Sequence, residues 1–159
     1  MFARRPIRVG ERVWRVDDSR TATPDDIARV EHRETDARLD YYPERTVLLP
    51  FPHGTFNHSC DPNAYDFWAA DGARYKVARR DIAAGEEVTT DYSINSWGDD
   101  TWRCNCVAQR CRRDIEIDLF ALPDEFLREY LPLLASWYRH AFAEQVAAAE
   151  RRPGLRQDS

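Results

Sequence analysis

All four cysteines of this 159-residue chain fall in two short stretches: Cys60 within FNHSCDPNA, residues 56 to 64, and Cys104, Cys106 and Cys111 within CNCVAQRC. Four thiolates complete a tetrahedral zinc shell with no open position, and a closed site of that kind contributes folding energy and no chemistry. A metal held there would pin the tail of the chain against its middle. An even cysteine count also suits a disulfide framework. Against that alternative stand the absence of a signal-like apolar run after MFARRPIRVGERVW and the low cysteine density. Cys104 and Cys106 are moreover a poor pair for each other if their segment is extended, because alternate side chains then point to opposite faces. The second stretch with chemistry in it is GEEVTTDY, residues 85 to 92, which ends on the phenol of Tyr92. Taken singly, Tyr92 reads as a strand-end aromatic, Asn57 as a turn-capping amide and His58 as a packed core histidine.

The elements that must carry these residues can be read from patterning. ERVWRV at 11 to 16 and TVLLPF at 46 to 51 have the β-branched and aromatic content of short strands. Between them Thr23-Pro24-Asp25 supplies an N-cap, a proline at the first helical position and early negative charge, so a short helix is expected from about 24 to 34. AYDFWAA and RYKVARR flank Asp71-Gly72 and predict a hairpin. EEVTTDY is expected as a strand carrying Tyr92 at its end, followed by a loop, SINSWGDDTWR, with Gly and Asp at its tip. From Pro123 the pattern turns helical: Tyr130, Leu134, Trp137, Tyr138, Ala141 and Phe142 form an apolar stripe. Pro132 divides it, predicting helices at about 124 to 130 and 132 to 150, with the stripe read as core rather than as a partner groove, and with fraying after Pro153.

Composition narrows the class. Length, 43% hydrophobic and 12% aromatic residues fit one globular domain with its own core. No stretch approaches the roughly 18 apolar residues of a membrane helix. The formal net charge of -5 argues against a general nucleic-acid binder and suits a basic partner. The expected setting is a reducing, cytoplasmic one. Oligomeric state is not encoded in any feature of the sequence.

FNHSCDPNA, then GEEVTTDY, then C-x-C-x4-C-R, in that order, closely resemble the SET-domain protein lysine methyltransferases with their post-SET zinc segment. The strong match spans roughly residues 56 to 116, MFARRPIRVGERVW is similar to the family's early strand, and the helical tail resembles extensions on small bacterial members. The resemblance implies a mainly β fold, a β-clip with a knot-like core, a zinc-bound post-SET segment and a C-terminal α-helical extension. It assigns residues 1-93 to the SET domain, 100-116 to the post-SET segment and 123-150 to the helical extension. It further implies methyl transfer from S-adenosylmethionine to a lysine of a protein substrate. In that reading Tyr92 orients the target amine and Asn57 and His58 hold the cofactor by side-chain amide and backbone contacts. Thr90 and Tyr92 line the substrate channel, and Cys60, Cys104, Cys106 and Cys111 bind a structural zinc ion. Such a transfer needs a neutral amine, aligned reactants and exclusion of water, and no catalytic metal.

The chain departs from the family at four places. The G-x-G that precedes the first strand has no counterpart ahead of Met1 and Phe2, which leads to the expectation of a start codon further upstream. Val107 and Arg113 stand where glycines are usual, and Thr90 stands where an aromatic ring often limits the number of methyl groups. A second reading is a catalytically silent, zinc-stabilised module that binds a basic peptide. Lys76 is the only lysine, so an active enzyme is expected to methylate itself at most at Lys76 or the amino terminus.

Overall fold

Strand propensity and turn chemistry direct the amino-terminal half as the patterning predicts. The structure is a computed structural model that describes residues 1–98 and 100–155. The chain divides into two compact units, the first made of Met1–Asn57 and Pro62–Thr90, the second of His58–Asp61 and everything described from Asp91 onward. Peptide bonds at 57/58, 61/62 and 90/91 join them, so Cys60 belongs to the same unit as the other three cysteines.

In the first unit β1 (Arg12–Val16) opens the chain, and α1 (Pro24–Glu31) follows behind a Thr23 capping box in which the Thr23 hydroxyl and the Asp26 carboxylate each take the other's backbone N–H. The helix stops at Glu31 rather than 34, and Arg33 takes a left-handed φ of 56°. A strand that the patterning did not single out, β2 (Arg38–Tyr42), pairs antiparallel with β3 (Arg45–Leu49). After β4 (Asn57–His58), β5 (Ala64–Trp68) and β6 (Arg74–Ala78) form the expected hairpin, and β1 joins the free edge of β6. Gly72 supplies the turn's left-handed φ of 81°. The last strand of the unit, β7, is only Thr89–Thr90, and Tyr92 lies beyond it in a turn, so the expectation of a strand running to Tyr92 is corrected. Asp91 is what stops it: its carboxylate accepts the Ser93 N–H at 3.0 Å, an Asx-type turn that competes with a ladder.

The hairpin buries its charged face. Asp66, Arg74 and Lys76 share one side of β5–β6; Lys76 Nζ lies 2.7 Å and Arg74 Nε 2.9 Å from Asp66, and Arg74 also pairs with Asp40 at 2.5 Å. The Lys76 ammonium sits 5.2 Å from the Phe56 ring centre and the residue is 6% exposed. Burial pushes its pKa down against the pull of Asp66. Of the two places to which self-methylation would be confined, Lys76 is therefore disfavoured: its amine is held by Asp66 and nearly buried. The apolar core of this unit gathers Ala3, Ile7, Phe56, Ala64, Ala78, Ile82 and Val88. The N-terminal segment runs antiparallel to residues 82–88, with Ile7 and Ile82 exchanging backbone bonds at 2.9 Å and Val88 N–H reaching Met1 O at 2.8 Å.

The second unit holds β8 (Thr101–Arg103) and β9 (Asp114–Glu116), an antiparallel pair that closes the base of the cysteine loop, with Trp102 opposite Ile115. Among the described residues three α-helices follow, α2 (Asp124–Tyr130), α3 (Ser136–Ala141) and α4 (Ala143–Glu150), with short 3-10 turns between and around them. The single helix expected over 132 to 150 is thus broken. Leu131–Leu133 forms one 3-10 turn around Pro132, and Leu134 and Ala135 are extended because the Ala135 N–H goes to the Asn95 side chain at 2.8 Å instead of into a helix. Phe142, with φ -116° and ψ 36°, separates α3 from α4. Tyr130, Leu134 and Tyr138 are buried, as a core stripe requires, while Ala141 is exposed and leaves it. Asp99 and the four residues after Leu155, on which the loop tip and the fraying were expected, lie outside the described residues. No helix among the described residues is long and apolar enough to cross a membrane.

Candidate metal centre and active site

The four sulfurs converge. Cys60, Cys104, Cys106 and Cys111 place their Sγ atoms within 4.8 Å of one another, and Cys60 and Cys104 are 3.9 Å apart. Zinc bonded to sulfur at about 2.3 Å in a tetrahedron sets its ligands about 3.8 Å apart, so the cluster fits that ion with small adjustments. No disulfide links them. Backbone N–H groups of Cys60, Cys106 and Arg112 point at the Sγ atoms of Cys106, Cys104 and Cys60 respectively, each at 3.4 Å, which stabilises thiolate over thiol. Burial opposes ionisation at Cys106, yet N–H donation from Cys60 and Ala108 outweighs it and brings that thiol down to about 6. Burial dominates at Cys60 and Cys104 and pushes both up. Cys106 is thus the sulfur most inclined to be a thiolate, while Cys60 and Cys104 would give up protons on binding a metal.

The loop geometry answers the missing glycines. Val107 has φ 52° and Arg113 φ 68°, the left-handed backbone for which glycine is the easy choice, so the turns persist under residues that pay a steric cost for them. Cys104 N–H meets Arg113 O at 2.6 Å, and Ile115 and Trp102 pack against the sulfurs.

In the same unit His58 stands between the cysteines and Tyr92. Its Nδ1 accepts the Tyr92 N–H at 3.2 Å, which places the ring proton on Nε2, and Nε2 faces Cys60 Sγ at 3.4 Å. Burial, only partly offset by Asp91, lowers the His58 pKa and keeps the ring neutral. The rings of His58, Tyr92 and Trp102 pack mutually, with centroids 5.3, 5.4 and 6.0 Å apart, and Tyr92 remains 40% exposed. This arrangement leaves a phenol at the surface on a backbone that is held from behind.

In the first unit the Asn57 amide donates to Glu87 Oε1 at 2.7 Å, and the Met1 ammonium lies 3.7 Å from the same oxygen. Thr90 is buried, 5% exposed. Asn63, unremarked in the sequence reading, is the staple between the two motifs. It is 1% exposed, its Nδ2 donates to Glu86 Oε1 (2.9 Å) and Glu87 O (2.7 Å), and its Oδ1 accepts the Thr89 N–H (2.9 Å). The bond from Arg80 leads, against burial, in bringing the Glu86 carboxyl down to about 2. The other residues that sequence reasoning missed are Trp102, Asp91 and Arg112. The signal for Trp102 was an aromatic two positions before the first loop cysteine; nothing in the sequence pairs Asp91 with Arg112.

A two-motif unit stapled by Asn63 and a four-sulfur unit that carries Tyr92 define a SET domain with an appended cysteine segment. The family profile described as "SET domain" matches residues 1–93, and the chain belongs to that family. Among curated relatives, histone-lysine N-methyltransferase SET9 of Chaetomium globosum is 32% identical over 116 residues, which cover 71% of this chain and 16% of that protein. The H3 lysine-36 specific histone-lysine N-methyltransferase of Saccharomyces cerevisiae is 41% identical over 58 residues, 35% of this chain and 8% of that one. The chain thus spans a small part of the length of the curated relatives it matches. Among solved structures, the methyltransferase domain of human histone-lysine N-methyltransferase SETMAR aligns with a TM-score of 0.47 and 19% identity, over 72% of this chain and 52% of that one.

Proposed function

We propose that the chain transfers a methyl group from S-adenosylmethionine to the neutral ε-amine of a lysine on another protein. The observation that carries this reading is the SET-domain match over 1–93 taken together with the way His58 and Tyr92 are joined: ring against ring, with the Tyr92 N–H fixed on Nδ1. When bound, S-adenosylmethionine supplies the electrophilic methyl. The residues for it are Asn57, whose side-chain amide is held by Glu87 Oε1 at 2.7 Å, and the His58 backbone. The Tyr92 hydroxyl holds the amine by hydrogen bonding so that its lone pair faces the methyl, and a desolvated channel favours the uncharged amine. Thr90 leaves more room there than an aromatic residue would.

In this reading residues 1–93 form the catalytic SET domain, 100–116 the metal-braced post-SET segment and 123–150 the helical extension. The four cysteines hold zinc, which organises the Tyr92 segment and takes no part in the transfer, and the thiols require a reducing compartment such as the cytoplasm. The names of the relatives and the net charge of -5 support a basic protein substrate.

Titration calorimetry with S-adenosylmethionine and incubation of a lysate with labelled cofactor test the proposal. Micromolar binding and label on lysine are expected. Tyr92→Phe should lower kcat about a hundredfold or more while cofactor affinity is retained, because it removes orientation rather than contact area. No binding at about millimolar cofactor would favour the silent module instead.

A further inference from the structure

Asp91 is a buried charge of the second unit with several partners. Its side chain is fully buried, and Nη2 of Arg112 lies 2.8 Å from both of its oxygens. It also accepts the Tyr130 hydroxyl at 3.0 Å and the Ser93 N–H at 3.0 Å, and His58 Nδ1 is 3.7 Å away. Arg112 is nine-tenths buried, yet its Nε and Nη1 have no hydrogen-bond partner among the described residues. A guanidinium so placed is held by one carboxylate and by the Phe126 ring, 5.1 Å away. Its own backbone N–H, one residue past Cys111, is donated to Cys60 Sγ. Arg112 therefore touches the sulfur cluster through its main chain and the residue before Tyr92 through its side chain.

A buried cation needs negative charge near it, and Asp91 alone balances it only if nothing else is charged nearby. Four thiolates around a divalent ion carry a net charge of about -2, so filling the cluster strengthens the hold on Arg112, and through it on Asp91. We infer that Arg112 and Asp91 are positioning residues: together they carry the filled state of the cysteine cluster to the Tyr92 backbone, in parallel with the His58 bridge. Tyr130 and Asn95 anchor the same segment to the helical tail, which gives that tail a part in the site. The inference rests on zinc occupying the cluster and, for its kinetic consequence alone, on the proposed methyl transfer.

The test is amide hydrogen exchange on the zinc-loaded chain, comparing Tyr92 with Leu127, a core amide of α2. Asp91→Asn and Arg112→Lys should each keep bound zinc and speed exchange at Tyr92 about tenfold or more while Leu127 is unchanged, and stripping zinc from the unsubstituted chain should speed Tyr92 likewise. In the methyl-transfer assay kcat should fall with the cofactor KM unchanged. Equal acceleration at Tyr92 and Leu127 would reduce the pair to ordinary structural support, and an unaltered Tyr92 rate in a zinc-loaded variant would overturn the inference outright. If Asp91→Asn does not fold, Arg112→Lys, which keeps the charge, decides alone. Absence of methyl transfer in every form would refute the proposed function and leave the exchange result to stand on its own.

Discussion

Replacing Val107 by glycine should stabilise the protein. Val107 is 98% exposed, so deleting its side chain gives up almost no buried area. Its φ of 52° is left-handed, a conformation that costs a residue with a Cβ about 1–2 kcal/mol, with a β-branched side chain among the worst placed to bear it. Glycine removes that cost but gains freedom in the unfolded chain, which takes back about 0.5–1 kcal/mol. The net is about 0.5–1 kcal/mol in favour of the variant, or about 1–4 °C in the thermal midpoint for a chain of this size. The assay is thermal and urea unfolding of the zinc-loaded chain, with Val107→Ala as control. Alanine keeps the Cβ and should recover much less. A midpoint that is unchanged or lower in Val107→Gly would refute the claim that this loop keeps glycine's backbone under a valine.

Incubation with labelled cofactor followed by mass spectrometry should find no methyl on Lys76, whose amine is buried against Asp66 and Phe56; methylated Lys76 in folded protein would show that the charged cluster opens. Acid should destabilise the first unit through Glu86. Its folded pKa, about 2, lies below its unfolded value near 4.5, so the unfolded state binds the extra proton and stability falls as pH drops from about 4.5 to about 2. Urea titrations at about pH 5 and about pH 3 should show this, and Glu86→Gln should flatten the difference; an identical drop in the variant would place the acid sensitivity elsewhere.

The readable parts of the sequence were those where local chemistry and tertiary structure agree. The four cysteines in two clusters converge as a shared tetrahedral metal would require. Thr23, Asp71 and Gly72 announce a cap and a turn through bonds made within a few residues. Reading failed where a partner distant in sequence overrides a local preference. The alternation in β5–β6 shows which residues share a face but not that the charged face turns inward, because that depends on Asp40 reaching Arg74 from β2. The helix expected through residue 135 breaks because the Asn95 amide claims the Ala135 N–H. Tyr92 leaves its strand because Asp91 serves Ser93, Tyr130 and Arg112 at once, and nothing in GEEVTTDY signals those three bonds.

The proposed reading has the arrangement of Tyr92 depend on four sulfurs closing around one ion, and X-ray absorption at the zinc edge of the purified chain, with metal content measured on the same sample, tests that most directly. The expected result is one zinc per chain with four sulfur neighbours at about 2.3 Å and no nitrogen or oxygen. A shell that includes nitrogen or oxygen, or a metal-free chain with its cysteines paired as disulfides, would contradict it.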